Sequence, residues 1–182
     1  MLASWNPLSK NHLHQTLVSD GYSEATVSHV NDEYIYENPA FRVAHTQSSD
    51  ALRWRDYERD WNVHFQETST ARNFLIPAGF HEGTTVCLRL PNGRYTGAMH
   101  VSWTSPASAT DERREIIEQF RPMLAVACDL LRVPQLLARA LSPNAFALII
   151  SSNRVAHDLP GRSAGPYLGE GGRATSTFAR EL

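Results

Sequence analysis

The stretch TTVCLRLPNGRYTGAMHVSW, Thr84 to Trp103, constrains the fold more than any other part of the chain. Val86, Leu88 and Leu90 alternate with Cys87 and Arg89 before Asn92-Gly93, and Tyr95, Met99 and Val101 continue the alternation on the return run. Successive strand side chains point to opposite faces, and Asn-Gly readily supplies the positive backbone angles of a tight turn. The stretch is therefore predicted to be an antiparallel hairpin, with Cys87, Ala98 and His100 on the opposite face from Leu88, Met99 and Val101.

A long amphipathic helix should cover one face of that hairpin. Thr110 and Asp111 suit a helix start, and Ile116, Ile117, Phe120, Met123, Leu124, Ala127, Leu130 and Leu131 follow helical spacing. Pro122 removes a backbone donor inside this pattern, so a kink or a split is expected there. Pro134 suits the first turn of a further short helix ending near Leu141, and residues 145–150 with 154–157 read as a second hairpin. From Leu159 onward, seven Gly and Pro residues between Pro160 and Gly172 give an irregular tail.

Upstream the signals are weaker. Leu13 and Leu17 predict one amphipathic helix over Ser9 to Gly21. The β-branched and aromatic run Ala25 to Tyr36, with Asn31-Asp32 in its middle, predicts a hairpin. Asn38-Pro39 marks a break, and Phe41 to Thr46 reads as a short strand. Trp54, Tyr57, Trp61 and Phe65, spaced by three, four and four, predict one helical face.

Composition narrows the function classes. With 182 residues, 42% apolar and 20% charged, the chain suits one globular domain with an appendage, and a net charge of −2 argues against chain-wide affinity for nucleic acid. There is no apolar run of eighteen residues and no secretory leader pattern, which points to a cytoplasmic protein without membrane contact. The only cysteines, Cys87 and Cys128, lie far apart and outside any CxxC or Cys/His cluster, so they read as buried apolar fillers. The eight histidines include His12 and His14 two apart and otherwise stand singly, at His29, His45, His64, His81, His100 and His157. None has metal-ligand spacing.

Candidate catalytic groups do not assemble into a motif. The acids Asp56, Glu58 and Asp60 alternate with arginines as on a solvated helix face. No serine sits in a GxSxG elbow, and the late glycines form no phosphate-binding loop. Trp54, Trp61, Phe65, Phe74 and Phe80 remain as the side chains most suited to lining an apolar ligand pocket, or to filling a core.

The run PAGFHEGTTVCLRLPNGRYTGAMHVSW, Pro77 to Trp103, followed by EIIEQFRPMLAVACD, Glu115 to Asp129, resembles the GAF domains of actinobacterial LuxR-type transcriptional regulators. Arg55-Asp56 and Leu159-Pro160-Gly161-Arg162 extend the resemblance over roughly Ala25 to Arg162. It implies an α+β fold with a central antiparallel sheet, helices on one face and a pocket on the other. Residues 9–133 would form the GAF-like sensor domain, and residues 134–182 a short helix, hairpin and tail leading toward an absent output domain. The resemblance also implies a non-enzymatic regulatory sensor that binds a small molecule, forms homodimers, or both. Cys87 and His100 would face the pocket if the terminal helices cover the Leu88 face. Asn38-Pro39-Ala40-Phe41 resembles the start of a PAS helix, which makes a PAS-like sheet the close alternative.

LuxR-type regulators end in a helix-turn-helix, whereas residues 134–182 carry five arginines, three acidic groups and no recognition helix. Direct nucleic acid contact by this chain is not expected. Two rival functions are a GAF-type redox enzyme acting on a small sulfoxide through its cysteines and a pure dimerisation module without a ligand. The sequence names no cofactor.

Overall fold

The computed structural model describes residues 1–8, 14–48, 50–141, 148–150 and 156–159. They fall into two compact units, one of residues 1–7 and 11–129, the other of residues 8–10 and 130–182. The first unit is built on a five-stranded, wholly antiparallel sheet flanked by helices, an α+β fold. Its strands are β1 (Leu2–Trp5), β2 (His14–Val18), β3 (Leu52–Arg53), β4 (Glu82–Arg89) and β5 (Tyr95–Trp103), in the order β2-β1-β5-β4-β3.

The β4–β5 hairpin is the centre of the sheet, as its alternation implies, but one bulge changes its register. Leu88 pairs with Gly97 while Arg89 pairs with Tyr95, so Thr96 is the extra residue on β5. A bulge shifts the alternation by one. Tyr95 therefore joins Cys87 and Ala98 on one face instead of sharing the Met99 face, as strict alternation predicted. Gly97 then lets β1 approach: a Cβ there would lie 2.1 Å from the Ala3 carbonyl oxygen. Only a residue without a side chain fits so close a backbone crossing.

Two apolar layers sandwich the sheet. Val86 and Leu88 pack with Ala51, Ala125 and Cys128 under α5 (Asp111–Ala127). The Thr110 hydroxyl accepts from the Arg113 amide and caps this helix. α5 runs through Pro122 as one helix and is not split there. Ile117 before it and Leu124 after it pack on the same layer, and that burial outweighs the one lost backbone bond. The larger layer, on the Cys87 face, holds Val30, Tyr34, Phe41, Trp54, Tyr57 and Phe65 among others. Helices thus cover both faces of the sheet, not one.

That second helical layer corrects three upstream expectations. Residues 25–36 are not a hairpin but two helices, α1 (Glu24–Asn31) and α2 (Glu33–Glu37). Ser23 caps α1 by accepting from the Thr26 amide, and the buried positions are Thr26, Val30 and Tyr34, spaced by four, together with His29. Tertiary burial of that face overrides the β-propensity of the run. Phe41 to Thr46 is likewise not a strand but part of α3 (Pro39–Thr46), since Asn38 accepts from the Ala40 amide and Pro39 occupies the first turn. In place of the expected Ser9 to Gly21 helix, His14–Val18 is an edge strand paired to β1; residues 9–13 lie outside the described residues.

α4 (Trp54–Trp61) forms as its aromatic spacing implies and stops at Asn62, which adopts φ 52° and ψ 36°. Phe65 consequently leaves the helix and sits in a following turn, yet it still stacks on Trp54 at 4.7 Å between ring centres. Arg53 and Asp56, both buried, fix the start of α4 through paired bonds of 2.8 and 3.1 Å, and Asp111 adds a 2.8 Å ion pair to Arg53. The second unit contains α6 (Arg132–Leu141) and a hairpin of β6 (Leu148–Ile150) with β7 (Ala156–Asp158). No helix among the described residues is long and apolar enough to cross a membrane.

Candidate functional site

The end of the sheet where β1, β2 and β5 meet α2 and α3 is open. A cleft of about 540 Å³ lies there, lined by Trp5, His14, Ile35, Tyr36, Phe41, Arg42, His45, Thr46, Arg94 and Tyr95. Its volume falls within the roughly 300–1,000 Å³ typical of small-ligand sites. Each wall has a local cause. Trp5 and His14 are cross-strand partners in the β1–β2 pair. The bulge at Thr96 turns Tyr95 toward the helices. The Asn38 cap starts α3 so that Phe41 and His45 lie four residues apart on one face.

Four of these rings form a closed circuit. His14 contacts Phe41 and Tyr95, each at 5.8 Å between centres; His45 contacts Tyr95 at 4.6 Å and Phe41 at 5.8 Å. Trp5 adds a fifth ring, 6.1 Å from Tyr95. A 2.8 Å hydrogen bond joins the Tyr95 hydroxyl to His14 Nε2. Burial, with His45 nearby, lowers the His14 pKa to about 4, while burial and the Arg89 charge lower that of His45. Burial raises Tyr95 well above the ordinary phenol value. The circuit is therefore uncharged at neutral pH.

Positive charge surrounds it. Arg94 forms a bidentate pair with the buried Asp129, both bonds 2.7 Å. Arg89 lies 5.3 Å over the Tyr95 ring and donates to the carbonyls of Gly93 and His45. Arg42, exposed on the cleft wall, has no carboxylate partner among the described residues. Among the described residues, no acidic side chain lines the cleft.

None of the seven residues singled out in the sequence lines this cleft. Trp54, Phe65 and His100 instead border an interior void of about 20 Å³, room for one water and not for an organic ligand. His100 does lie on the face away from α5, as its alternation implies. Its Nδ1 stands 3.1 Å from the Thr85 hydroxyl, which is 3.2 Å from the Tyr34 hydroxyl. Burial, with His14 and the N-terminus nearby, lowers its pKa to about 3. Cys87 is buried on the same face, and burial raises its thiol to about 12. Phe74 stacks on His29 at 4.1 Å, Phe80 leans on Tyr22 at 5.4 Å, and Trp61 packs half-buried against the core. Trp54 and Phe65 also border a polar surface hollow of about 230 Å³ with Glu58, His64 and Glu82.

Sequence reading missed the cleft because its rings come from four separate elements. The one local signal was Asn38-Pro39 as a helix start, which would have placed Phe41 and His45 on a common face. Among the described residues, no group of three His, Cys, Asp or Glu side chains is placed to hold a metal ion. Comparison with protein-family models, with curated proteins and with solved structures gave no match.

Proposed function

We propose that this chain is a non-enzymatic regulatory sensor of the GAF type, the ligand-receiving part of a bacterial transcriptional regulator, with its seat in the cleft between β5, α2 and α3. The carrying observation is the 540 Å³ cleft, lined by the six rings of Trp5, His14, Tyr36, Phe41, His45 and Tyr95. A site of that size and lining suits reversible binding of one small molecule. α2 and α3 reach the sheet through a few buried side chains, so a ligand that fills the cleft changes the contacts of an entire helical corner. That gives it a differential grip on two positions of the corner, the requirement for signalling.

The rival redox function finds little support. Cys87 and Cys128 lie in the layers on opposite sides of the sheet, and burial raises both thiols, to about 12 and about 11. Dithiol exchange needs an accessible thiolate and a second thiol within reach. Homodimerisation has one observation in its favour: Ile116, Phe120 and Met123, at helical spacing on α5, are each at least half exposed.

Native mass spectrometry of the purified chain, set against its denatured mass, tests the sensor reading. The expected result is a non-covalent adduct that disappears in Thr46→Trp, where a bulky ring on the cleft wall occupies the space. An adduct that persists in that variant places the ligand elsewhere and refutes the assignment.

A further inference from the structure

We infer that the cleft takes an aromatic carboxylate, a flat ring system with a single negative charge, its rings against the His45, Tyr95 and Phe41 wall and its carboxylate at Arg42. This specifies the ligand of the sensor site proposed above and rests on that reading.

Charge excludes the other natural occupant of an aromatic enclosure. Rings arranged around a pocket attract quaternary ammonium groups through their π faces. Here, however, Arg42, Arg89 and Arg94 stand around the rings, and among the described residues Asp129 is the one carboxylate paired to any of them. The two imidazoles are neutral, so the surroundings keep a surplus of positive charge, and a cation would meet repulsion with no compensating acid. Arg94 is held by Asp129, and Arg89 is occupied with the Gly93 and His45 carbonyls. Arg42 is the guanidinium left to form a bidentate bond with a carboxylate, the geometry for which this side chain is suited. It stands one residue from Phe41 and three from His45 on α3, so ring contact and charge contact come from the same helix.

The ring requirement follows from the lining. Its lining rings stand at mutual centre separations of 4.6 to 6.1 Å, in stacked, tilted and edge-on pairs. A flat ring gains that geometry, whereas a flexible alkyl chain also loses more rotational freedom on binding.

The test uses four probes of one size: naphthoate, naphthamide, naphthyl-trimethylammonium and decalin carboxylate. Binding is followed by amide-resolved NMR of the full chain, with shifts at Trp5, Phe41 and His45 marking occupancy of the cleft. Naphthoate should bind about tenfold more tightly than naphthamide and than decalin carboxylate, and the cation should not bind. Arg42→Gln, an exposed substitution that leaves the core intact, should bring naphthoate to within about threefold of naphthamide. At about 1 M salt, where charges are screened beyond roughly 3 Å, the two carboxylates should weaken while naphthamide should not. If naphthamide or the cation shifts the cleft as strongly as naphthoate, the charge inference falls and the sensor site stands. Equal binding of decalin carboxylate removes the ring requirement. If no probe shifts the cleft residues of the folded chain, both the ligand class and the site are overturned.

Discussion

Acid should unfold this protein unusually early, and two histidines set the window. His14 and His100 are buried and neutral, with folded pKa values of about 4 and about 3 against 6.5 when unfolded. Because both folded values are depressed, the unfolded chain takes up protons first as the pH falls. The stability they contribute is intact above 6.5 and drains away down to the folded values. At 1.36 kcal/mol per unit, the shifts correspond to about 3 and about 5 kcal/mol in full. Between pH 7 and about pH 4.5 the two together remove about 5 kcal/mol, which is comparable to the whole stability of many domains. Glu82 works in the other direction, since burial raises its carboxyl above the usual value and so adds stability as the pH falls. Asp56, lowered by Arg53, loses its contribution only below the carboxylate range, outside the window. Urea unfolding at a series of pH values measures the slope, which should reach about two protons taken up per molecule unfolded between about pH 5.5 and 4.5 from His14 and His100, with the lowered His45 adding in the same direction. In His100→Gln, whose amide can still bond Thr85, the slope should drop by about one proton, and Glu82 cancels in the comparison. A wild-type slope near zero, or a slope unchanged in the variant, would refute the burial of a neutral imidazole at this position.

Three other consequences can be checked in the same way. Gly97→Ala sets a Cβ against the Ala3 carbonyl oxygen and Ser4 Cα, so it should cost about 3 kcal/mol in urea unfolding and weaken amide protection in β1 first; a change below about 0.5 kcal/mol contradicts the close crossing. Arg53→Ala leaves Asp56 buried with only the exposed Arg59 as ion-pair partner, and a loss of about 3 kcal/mol is expected by chemical denaturation. Neither cysteine should react with a disulfide reagent in the native state at neutral pH, because both thiols are buried and raised; rapid labelling of either without unfolding would revive the thiol chemistry.

The central hairpin and the long helix behind it were legible because local signals and burial agree there. Asn92-Gly93 fits one kind of turn, the alternation of β4 admits one pair of faces, and Thr110 marks the helix start, while of the positions read at helical spacing Ile117 and Leu124 pack on the sheet and Ile116, Phe120 and Met123 stay exposed. Residues 24–46 were not legible. Their β-branched and aromatic side chains suit a strand, and only the Ser23 and Asn38 caps, together with a sheet face needing cover, turn them into helices.

The sequence by itself determined which residues are apolar, where the β4–β5 turn falls, and that His100 and Cys87 share a face opposite Leu88. Tertiary structure alone decided what that face is for. Trp54 and Phe65, chosen as large rings, and His100, chosen by alternation, border a void no larger than a water, and Trp54 stacks on Phe65 across the end of α4. The open cleft arises instead where a bulge at Thr96, an edge strand at His14 and a capped helix at Pro39 bring distant rings together. No local pattern encodes such a meeting, since each of the three devices acts on its own segment and only the packed sheet sets the distance between them.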